Sequence, residues 1–369
     1  MPKIMFDEPL ELAWMRPWRF ARLTALLTAV LTFVGCLGVG VGAPSALGIL
    51  VGEGLAKREL LIELPEAGGN RILDLEIVGT NEILFLTSER VLAHSPDASG
   101  LVEKAKFSSN DHIFPGAIVA PRDGEEPGYI GVESSGSCLL LLSPTGRRER
   151  CIPGNAAGQI TAADLSGDGL REILSTTPDQ KGMAAYDLFG RRLWTHDAMG
   201  YVVAMGVLAG KDSAPEPILH LYPGREGRAG GTYQRLDAYG RLLQEWNGPV
   251  VGGLEPIIWS DGTAAFLTLE TDALVAYSRT GEQLMLTGVP GAGKFRELRS
   301  IELRGGVRVV LARGGGYWPY HLLVILDRSG KLIYHESDVG RAYGLVAGVS
   351  GSGIFYASIE NRVWRYSLP

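Results

Sequence analysis

The chain has 369 residues, of which 46% are hydrophobic and 21% charged, and its formal net charge is −6 at pH 7. A net negative charge argues against nucleic acid as a partner, because proteins that bind it present clustered positive charge to the phosphates. Fifty glycines and few helix-like periods favour an all-β chain rich in turns.

The N-terminal part of the chain contains a candidate transmembrane helix. Residues 23–43 carry no charge, and as a helix at ~1.5 Å per residue they would be about 31 Å long, enough to cross a bilayer core. Arg16, Arg19 and Arg22 precede this segment closely, so the positive-inside bias places residues 1–22 in the cytoplasm. We therefore predict a single-pass protein of the bacterial inner membrane whose remaining chain is periplasmic.

Two alternatives to a retained membrane helix stay open. One is a cleaved signal peptide, although Pro44 spoils the small-residue cleavage sites. The other is a lipoprotein modified at Cys36, because Phe33–Cys36 resembles a weak bacterial lipobox. Residues 44–57 form a short linker, so a domain that follows a retained helix must lie close to the bilayer.

Residues 58–369 contain seven copies of one pattern, in which an apolar run reaches a small, polar or glycine turn and a second apolar run follows. The steps are 45, 45, 44, 49, 44 and 45 residues, counted between Gly79, Gly124, Gly169, Ser213, Gly262, Gly306 and Gly351. A fixed period of this size, built from short apolar strands, is typical of a blade array. We predict a seven-bladed β-propeller, with an open β-sandwich array as the alternative.

Five copies continue into a hairpin whose tight turn contains a glycine, the residue that best adopts the positive φ required there. These glycines are Gly146, Gly190, Gly240, Gly281 and Gly330. The hairpin brings each blade to four strands, except that the last copy has one strand fewer. An unpaired edge there would invite aggregation. We expect Arg58–Leu64 to fill the gap, which would close the ring with N- and C-terminal strands side by side.

Cys138 and Cys151 flank one of these hairpin turns. In a two-residue hairpin they would face each other across neighbouring strands, whereas a glycine-bulged three-residue turn would offset them by one position. Outside the cytoplasm such a pair is a good disulfide candidate. Two buried thiols are the alternative.

The string 164–172, DLSGDGLRE, places oxygen side chains around a glycine turn. The side chains of Asp164, Ser166, Asp168 and Glu172, with the carbonyl of Leu170, could wrap a hard cation. With its flanking strands the string resembles the FG-GAP/VCBS class of propeller repeat, in which such a loop holds calcium. The resemblance in blade outline covers roughly residues 110–340 and implies adhesion, glycan binding or scaffolding. The alternative is a plain turn whose aspartates cap backbone amides.

Two further strings suggest other ligands. The hairpin 184–194, AAYDLFGRRLW, resembles the blade-docking strand of pyrroloquinoline-quinone propellers, in which a tryptophan braces adjacent blades; Trp194 and Trp246 stand in such places. The run 288–294, GVPGAGK, has the spacing of a phosphate loop, but Phe295 replaces the Ser or Thr that would hold magnesium. Because no helix-forming segment follows, we predict no nucleotide binding.

These patterns favour a binding or structural role over catalysis. The first hypothesis is a non-catalytic, membrane-anchored propeller that acts as an accessory, scaffold or assembly subunit of an inner-membrane complex, with integral membrane proteins as partners. The second is a calcium-dependent adhesion protein or glycan-binding envelope receptor. The third is an anchored quinoprotein-like or carbohydrate-active enzyme that uses the central channel.

One insertion with glycines before it is rich in aromatic residues, namely Tyr317, Trp318 and Tyr320. Interfaces favour tyrosine and tryptophan, so these residues could form a protruding contact loop. A long hairpin that packs on the neighbouring blade is the alternative.

Overall fold

The structure is a computed structural model that describes residues 57–65, 71–78, 82–95, 100–107, 113–119, 128–133, 138–153, 159–210, 213–222, 230–249, 253–292, 295–314, 320–348 and 353–368. The chain divides into two units, Met1–Leu47 and Gly48–Pro369, and every described residue belongs to the second. The predicted membrane segment 23–43, residues 1–22 and the linker up to residue 56 lie outside the described residues. Within the described ranges, no helix combines the length and the apolar character that a bilayer crossing needs.

The described residues form 28 β-strands in seven four-stranded antiparallel sheets, which are the blades of a β-propeller. Blade 1 comprises β2 (Ile72–Val78), β3 (Glu82–Thr87), β4 (Arg90–His94) and β5 (Leu101–Lys106). Blade 2 comprises β6 (Ile113–Val119), β7 (Gly128–Glu133), β8 (Cys138–Leu142) and β9 (Arg148–Pro153). Blade 3 comprises β10 (Ile160–Ala163), β11 (Glu172–Thr176), β12 (Gly182–Tyr186) and β13 (Arg192–Asp197).

The second half of the ring repeats this order. Blade 4 comprises β14 (Tyr201–Leu208), β15 (Glu216–Tyr222), β16 (Gly231–Leu236) and β17 (Leu242–Gly248). Blade 5 comprises β18 (Leu254–Ile258), β19 (Ala264–Glu270), β20 (Ala273–Ser278) and β21 (Gln283–Gly288). Blade 6 comprises β22 (Phe295–Glu302), β23 (Arg308–Gly314), β24 (Tyr320–Leu326) and β25 (Leu332–Val339), with a 3-10 turn at Arg304–Gly306. Blade 7 comprises β26 (Ala342–Ala347), β27 (Ile354–Ile359) and β28 (Arg362–Ser367), and its outer strand is β1 (Lys57–Glu63).

Two faces of the ring follow from the meander of each blade. The first strand of a blade lines the centre, where it contacts the first strands of neighbouring blades, and the fourth lies at the rim. Turns between the first and second strands and between the third and fourth strands fall at one end, which we call the hairpin face. Turns between the second and third strands, and the links from blade to blade, fall at the other end, which we call the connection face.

The hydrophobic core is divided among the gaps between blades. The described residues form seven hydrophobic clusters, each built from two adjacent blades, including one between blades 7 and 1. Because both faces of a blade are covered by its neighbours, its inner strands are continuous apolar runs, as in CLLLL of β8 and GMAAY of β12, where every residue is buried. The outer strand β13 is instead largely exposed. Each sequence repeat therefore contributes one hydrophobic layer between two adjacent blades.

The hairpins between third and fourth strands share one geometry in blades 2 to 6. All five predicted turn glycines have positive φ, between 77° and 87°. In blade 3, Gly190 N–H donates to the Asp187 carbonyl at 2.9 Å and Asp187 N–H donates to the Arg191 carbonyl at 3.0 Å, so three residues form the turn. A β-bulge follows each turn, for example at Leu193 between the pairs Tyr186–Arg192 and Ala185–Trp194.

This bulge explains how the two cysteines meet. Register pairs Cys138 with Pro153 and Cys151 with Leu140, so the cysteines are offset by two positions rather than one or none. The three-residue turn contributes one position and the bulge between Arg148 and Arg150 contributes the second. Since strand side chains alternate with a period of two, the second shift returns both sulfurs to the same side of the sheet. Their sulfur atoms lie at disulfide-bonding distance, with the Cα atoms 5.5 Å apart.

Adjacent blades interlock where an outer strand meets the next turn. The indole of Trp194 donates from Nε1 to the Ala238 carbonyl at 2.9 Å and lies against Gly240, the turn glycine of blade 4. Trp246 lies in the same way against Gly281 of blade 5. Both tryptophans thus brace adjacent blades as the sequence resemblance implies, although the register places Trp246 two positions further along its strand.

The ring closes through β1, which pairs antiparallel with β28 from Lys57–Ser367 to Glu63–Arg362. Arg58 of this strand stacks over Trp364 at 3.7 Å and reaches Glu336 of blade 6 at 3.4 Å. Glu336 also accepts hydrogen bonds from the Tyr334 hydroxyl at 2.5 Å and the Tyr366 hydroxyl at 2.7 Å. Burial alone would raise the pKa of Glu336, but the nearby His321, whose Nε2 lies 3.7 Å from the carboxylate, the hydrogen bonds from these tyrosines and the Arg58 charge lower it to about 2. The closing strand is therefore held by an ionised carboxylate as well as by its backbone ladder.

Candidate functional site: the central channel and the connection face

The described first strands enclose a channel of about 710 Å³. Its polar lining includes Gln159, Arg171, Glu255, Glu297 and Arg299. Glu297 and Arg313, which pair across β22 and β23, form an ion pair in this lining. Gln159, Glu255 and Glu297 stand just before or within the first three residues of their strands, so they lie toward the connection face.

Three of the polar side chains near this end of the channel join neighbouring blades in one repeated way. Asp74 Oδ2 accepts the Ile118 N–H at 2.9 Å, Gln159 Oε1 accepts the Met205 N–H at 2.9 Å, and Glu255 Oε1 accepts the Ser300 N–H at 2.8 Å. The partners are separated by 44, 46 and 45 residues, which is the repeat period. A polar residue in one first strand thus satisfies a backbone donor in the next. This arrangement favours a structural role for these three side chains.

Three carboxyls of the first strands, those of Asp74, Glu76 and Glu255, have raised pKa values. Burial raises the pKa of Glu255 to about 7, although the Arg299 charge and hydrogen bonds from Ser300 oppose the shift. Burial also raises the pKa of Asp74, again against the charge of Arg299 and the backbone hydrogen bonds. The pKa of Glu76 is raised by burial and by the nearby charge of Asp74, with Arg171 acting in the opposite direction.

Sequence reasoning missed this group, because which residues of separate repeats meet depends on how the blades are arranged around the channel. The signal that could have found it is a polar residue within an otherwise apolar first strand, one period before a backbone donor. Asp74 in ILDLEIV and Glu255 in LEPII both have this form.

A patch of exposed apolar side chains adjoins the channel on the connection face. We call the residues Met199, Tyr201, Val203 and Tyr222 the aromatic patch. Met199 is 99% exposed, Tyr201 46% and Tyr222 42%, and the two tyrosines are cross-strand partners at the ends of β14 and β15. Gln159 Nε2 donates to the Val203 carbonyl at 2.8 Å, which joins the patch to the channel lining.

The predicted contact loop belongs to the same face. Tyr320 begins β24 and is partly exposed, and its partner is Val339 at the end of β25. Both strand ends point to the connection face. Tyr317 and Trp318 lie outside the described residues, so their part in a contact loop stays a prediction.

The predicted calcium string forms the hairpin-face turn between β10 and β11. Asp164 Oδ1 and Oδ2 accept the N–H groups of Gly167 and Gly169 at 2.7 and 2.8 Å. Asp168 Oδ1 accepts the Leu170 N–H at 2.7 Å, and Glu172 Oε2 accepts the Leu165 N–H at 2.7 Å. These bonds form the capped turn that the sequence offers as the alternative. The described residues contain no group of three or more His, Cys, Asp or Glu side chains placed to hold a metal; calcium stays a prediction for this loop.

Comparison with known proteins places the fold but no family. No protein-family model matches the chain, and neither does any curated protein. A structure of BBS1N in complex with ARL6DN is 11% identical, with a TM-score of 0.59 over 87% of this chain and 97% of that chain. Catalytically inactive virginiamycin B lyase from Staphylococcus aureus with quinupristin is 11% identical, with a TM-score of 0.60 over 85% of this chain and 100% of that chain.

A chain of the mitotic checkpoint complex is also similar, at 11% identity and a TM-score of 0.56 over 89% of this chain and 96% of that chain. At such identities the likeness shows the fold alone. Propellers of this outline therefore include members of protein complexes as well as a lyase. The choice between binding and catalysis must come from the site.

Proposed function

We propose that this protein is a non-catalytic, membrane-anchored propeller that binds an integral membrane protein through its connection face. In this role it is an accessory or scaffold subunit of a bacterial inner-membrane complex. The similar propellers found in complexes support the general role. The uncharged segment 23–43 and the short linker after it support anchorage close to the bilayer.

The aromatic patch is the observation that carries the proposal. Tyr201 and Tyr222 are large, amphipathic side chains with few rotatable bonds, the kind that protein interfaces favour. They occupy the connection face, beside the fully exposed Met199 and next to Gln159 of the channel lining. A partner that covers this end would bury the patch and reach the polar rim of the channel at the same time.

A non-catalytic role agrees with how the channel carboxyls are bonded. Asp74 and Glu255 each accept a backbone N–H from the neighbouring blade, so an oxygen that a catalytic acid or base would present to substrate serves the ring instead. The Arg299 charge acts on both carboxyls and lowers the pKa of each, against the effect of burial.

The test is purification of the tagged full-length protein from mild detergent, followed by mass spectrometry of what co-purifies in stoichiometric amount. Tyr201→Glu combined with Tyr222→Glu should remove that membrane protein from the eluate, because a buried charge without a partner is strongly unfavourable at an interface. Val102→Glu, at an exposed apolar residue of the outer strand β5, is the matched control and should leave the partner in place. A solitary wild-type protein, or equal loss in both variants, would refute the proposal.

A further inference from the structure

A second exposed surface lies on the opposite end of the ring. Phe189 and Tyr239 occupy the same position in the hairpin turns of blades 3 and 4, directly before the turn glycines. Phe189 is 77% exposed and Tyr239 70% exposed. The equivalent residues of blades 2, 5 and 6 are the small polar Thr145, Thr280 and Ser329. Among these five turns between third and fourth strands, aromatic residues thus occur only in the two adjacent turns of blades 3 and 4.

Positive charge accompanies these rings. A basic residue follows the turn glycine in four blades, namely Arg147, Arg191, Arg241 and Lys331, and all four are exposed. The side chains of Arg191 and Arg241 are 78% and 76% exposed.

The aspartates of the same turns bond to the turn backbone and to the arginines. Asp187 Oδ1 accepts the N–H groups of Phe189 and Arg191 at 3.0 and 2.8 Å, and Asp237 Oδ1 accepts those of Tyr239 and Arg241 at 2.9 Å. Arg191 Nε also donates to Asp187 Oδ2 at 3.1 Å, and Arg241 Nε lies 3.7 Å from Asp237 Oδ2. Both arginine side chains remain largely exposed, so the outermost layer of these two turns presents the aromatic rings together with the guanidinium groups.

The chain enters the propeller from this same face. Lys57, the first residue of β1, pairs with Ser367, the last residue of β28. Because β28 is the third strand of blade 7, it ends at the hairpin face, and β1 therefore begins there. Residues 44–56 separate β1 from the uncharged segment 23–43. Even when fully extended at ~3.5 Å per residue, a linker of this size reaches only about 45 Å.

From these observations we propose that the hairpin face rests on the surface of a bilayer containing anionic phospholipid, with Phe189 and Tyr239 in the interfacial layer and Arg191 and Arg241 against phosphate groups. Aromatic rings and exposed arginines are the side chains that bind such a surface. The inference rests on the membrane anchorage in the proposed function and adds the face and the lipid class. It leaves the aromatic patch directed away from the bilayer, available to a membrane protein that projects beyond it.

The experiment uses the full-length protein with Cys36→Ser in nanodiscs, labelled with an environment-sensitive fluorophore at Phe189→Cys or Met199→Cys. Met199 is the matched control because it is an exposed apolar residue on the connection face. Lipids spin-labelled near the headgroup should quench the fluorescence of the label at position 189 but not at position 199. The less polar membrane interface should also shift the emission of the label at 189 to the blue. Equal quenching at both positions, or stronger quenching at 199, would overturn the proposal.

Lipid charge provides a second arm. Quenching at 189 should be stronger in discs of phosphatidylcholine mixed with phosphatidylglycerol than in phosphatidylcholine alone. Arg191→Glu combined with Arg241→Glu should weaken the contact between the hairpin face and the anionic discs, measured as quenching at 189, by about tenfold or more. Lys181→Glu on the connection face should leave that quenching unchanged. No dependence on lipid charge or on these arginines would show that phospholipid is not what the face binds.

The two proposals fail in different ways. If the label at 189 is not quenched while co-purification still depends on Tyr201 and Tyr222, only the membrane-facing assignment is wrong. If the full-length protein does not insert into discs at all, the anchorage itself is wrong, and with it the proposed function.

Discussion

The interlocking of blades can be tested at Gly240. Its φ is +77°, and a Cβ built there would lie 2.5 Å from Cε3 and 2.7 Å from Cδ2 of Trp194. Gly305 has a similar φ, +79°, but a Cβ there would meet nothing within 4 Å. Alanine at the two positions therefore imposes the same backbone strain, and only Gly240→Ala adds a steric overlap.

The expected magnitudes follow from these two terms. A left-handed backbone costs an alanine about 1–2 kcal/mol, and the stiffer unfolded chain returns about 0.4–1 kcal/mol, so Gly305→Ala should destabilise by about 0–1.6 kcal/mol. Overpacking against the indole adds about 1–3 kcal/mol to Gly240→Ala. At about 2 °C per kcal/mol for a domain of this size, Gly240→Ala should melt about 2–6 °C below Gly305→Ala.

A double-mutant cycle isolates the contact, with melting temperature as the assay. In a Trp194→Ala background the overlap is gone, so Gly240→Ala should cost no more than Gly305→Ala does in the same background. If the two glycine variants lose equal stability in the wild type, or if Gly240→Ala and Trp194→Ala are additive, the indole does not pack on this turn as described.

Four further predictions concern titration, cross-linking and calcium. The folded-state pKa of Glu336, about 2, lies below the ordinary glutamate value of 4.5. The carboxylate therefore stabilises the fold above pH 4.5, and this contribution, of about 3 kcal/mol, is lost as pH falls toward 2. The stability deficit of Glu336→Gln in urea unfolding should accordingly shrink below pH 4.5, and a deficit independent of pH would contradict the ion network. Glu255 has the opposite sign because its pKa is raised to about 7: wild-type stability should fall between pH 4.5 and 7, and Glu255→Gln should be more stable than wild type at pH 8 but not at pH 4.5. Replacing Cys138 and Cys151 together by alanine should lower the free energy of unfolding by about 3 kcal/mol in the chain-entropy estimate for a loop of this length, with reductant having the same effect on wild type and none on the variant. If the 164–172 loop binds calcium, a calcium concentration of about 100 times Kd should stabilise the protein by about 2.7 kcal/mol, and Asp168→Ala should abolish that gain. A wild-type melting temperature that changes neither with calcium nor with chelator would show that the loop does not bind calcium.

The sequence predicts the ring well because each repeat contains its own layer of the core. Apolar runs such as CLLLL in β8, and glycines such as Gly190 with positive φ, act locally, so the number of blades and the hairpin turns could be read one repeat at a time. The interblade tryptophans were also visible, since each lies in the outer strand that follows a turn glycine.

Features that depend on register or on contact between repeats were harder to predict. The offset between Cys138 and Cys151 was misjudged because the bulge after the turn shifts the ladder by one residue, and nothing in the sequence of that strand marks it. The channel group was missed for a related reason. Asp74 approaches Ile118 only because successive blades are rotated about the channel, and that rotation is a property of packing rather than of local sequence.

The closing strand has a consequence for how the molecule assembles. Glu63 and Arg362, which are ion-paired across the closure, are 299 residues apart, so blades 1 to 6 can form during synthesis or export while the seventh remains incomplete. Until β28 arrives, β1 is an unpaired edge tethered beside the predicted membrane segment, and the apolar surface of blade 1 that later meets blade 7 is uncovered. A growing chain that has begun to fold therefore presents two complementary open ends until its C-terminus emerges, and contacts of this sequence separation form slowly. In this interval one chain could pair with another instead of with itself, so dilution or a chaperone at the membrane should favour the closed monomeric ring.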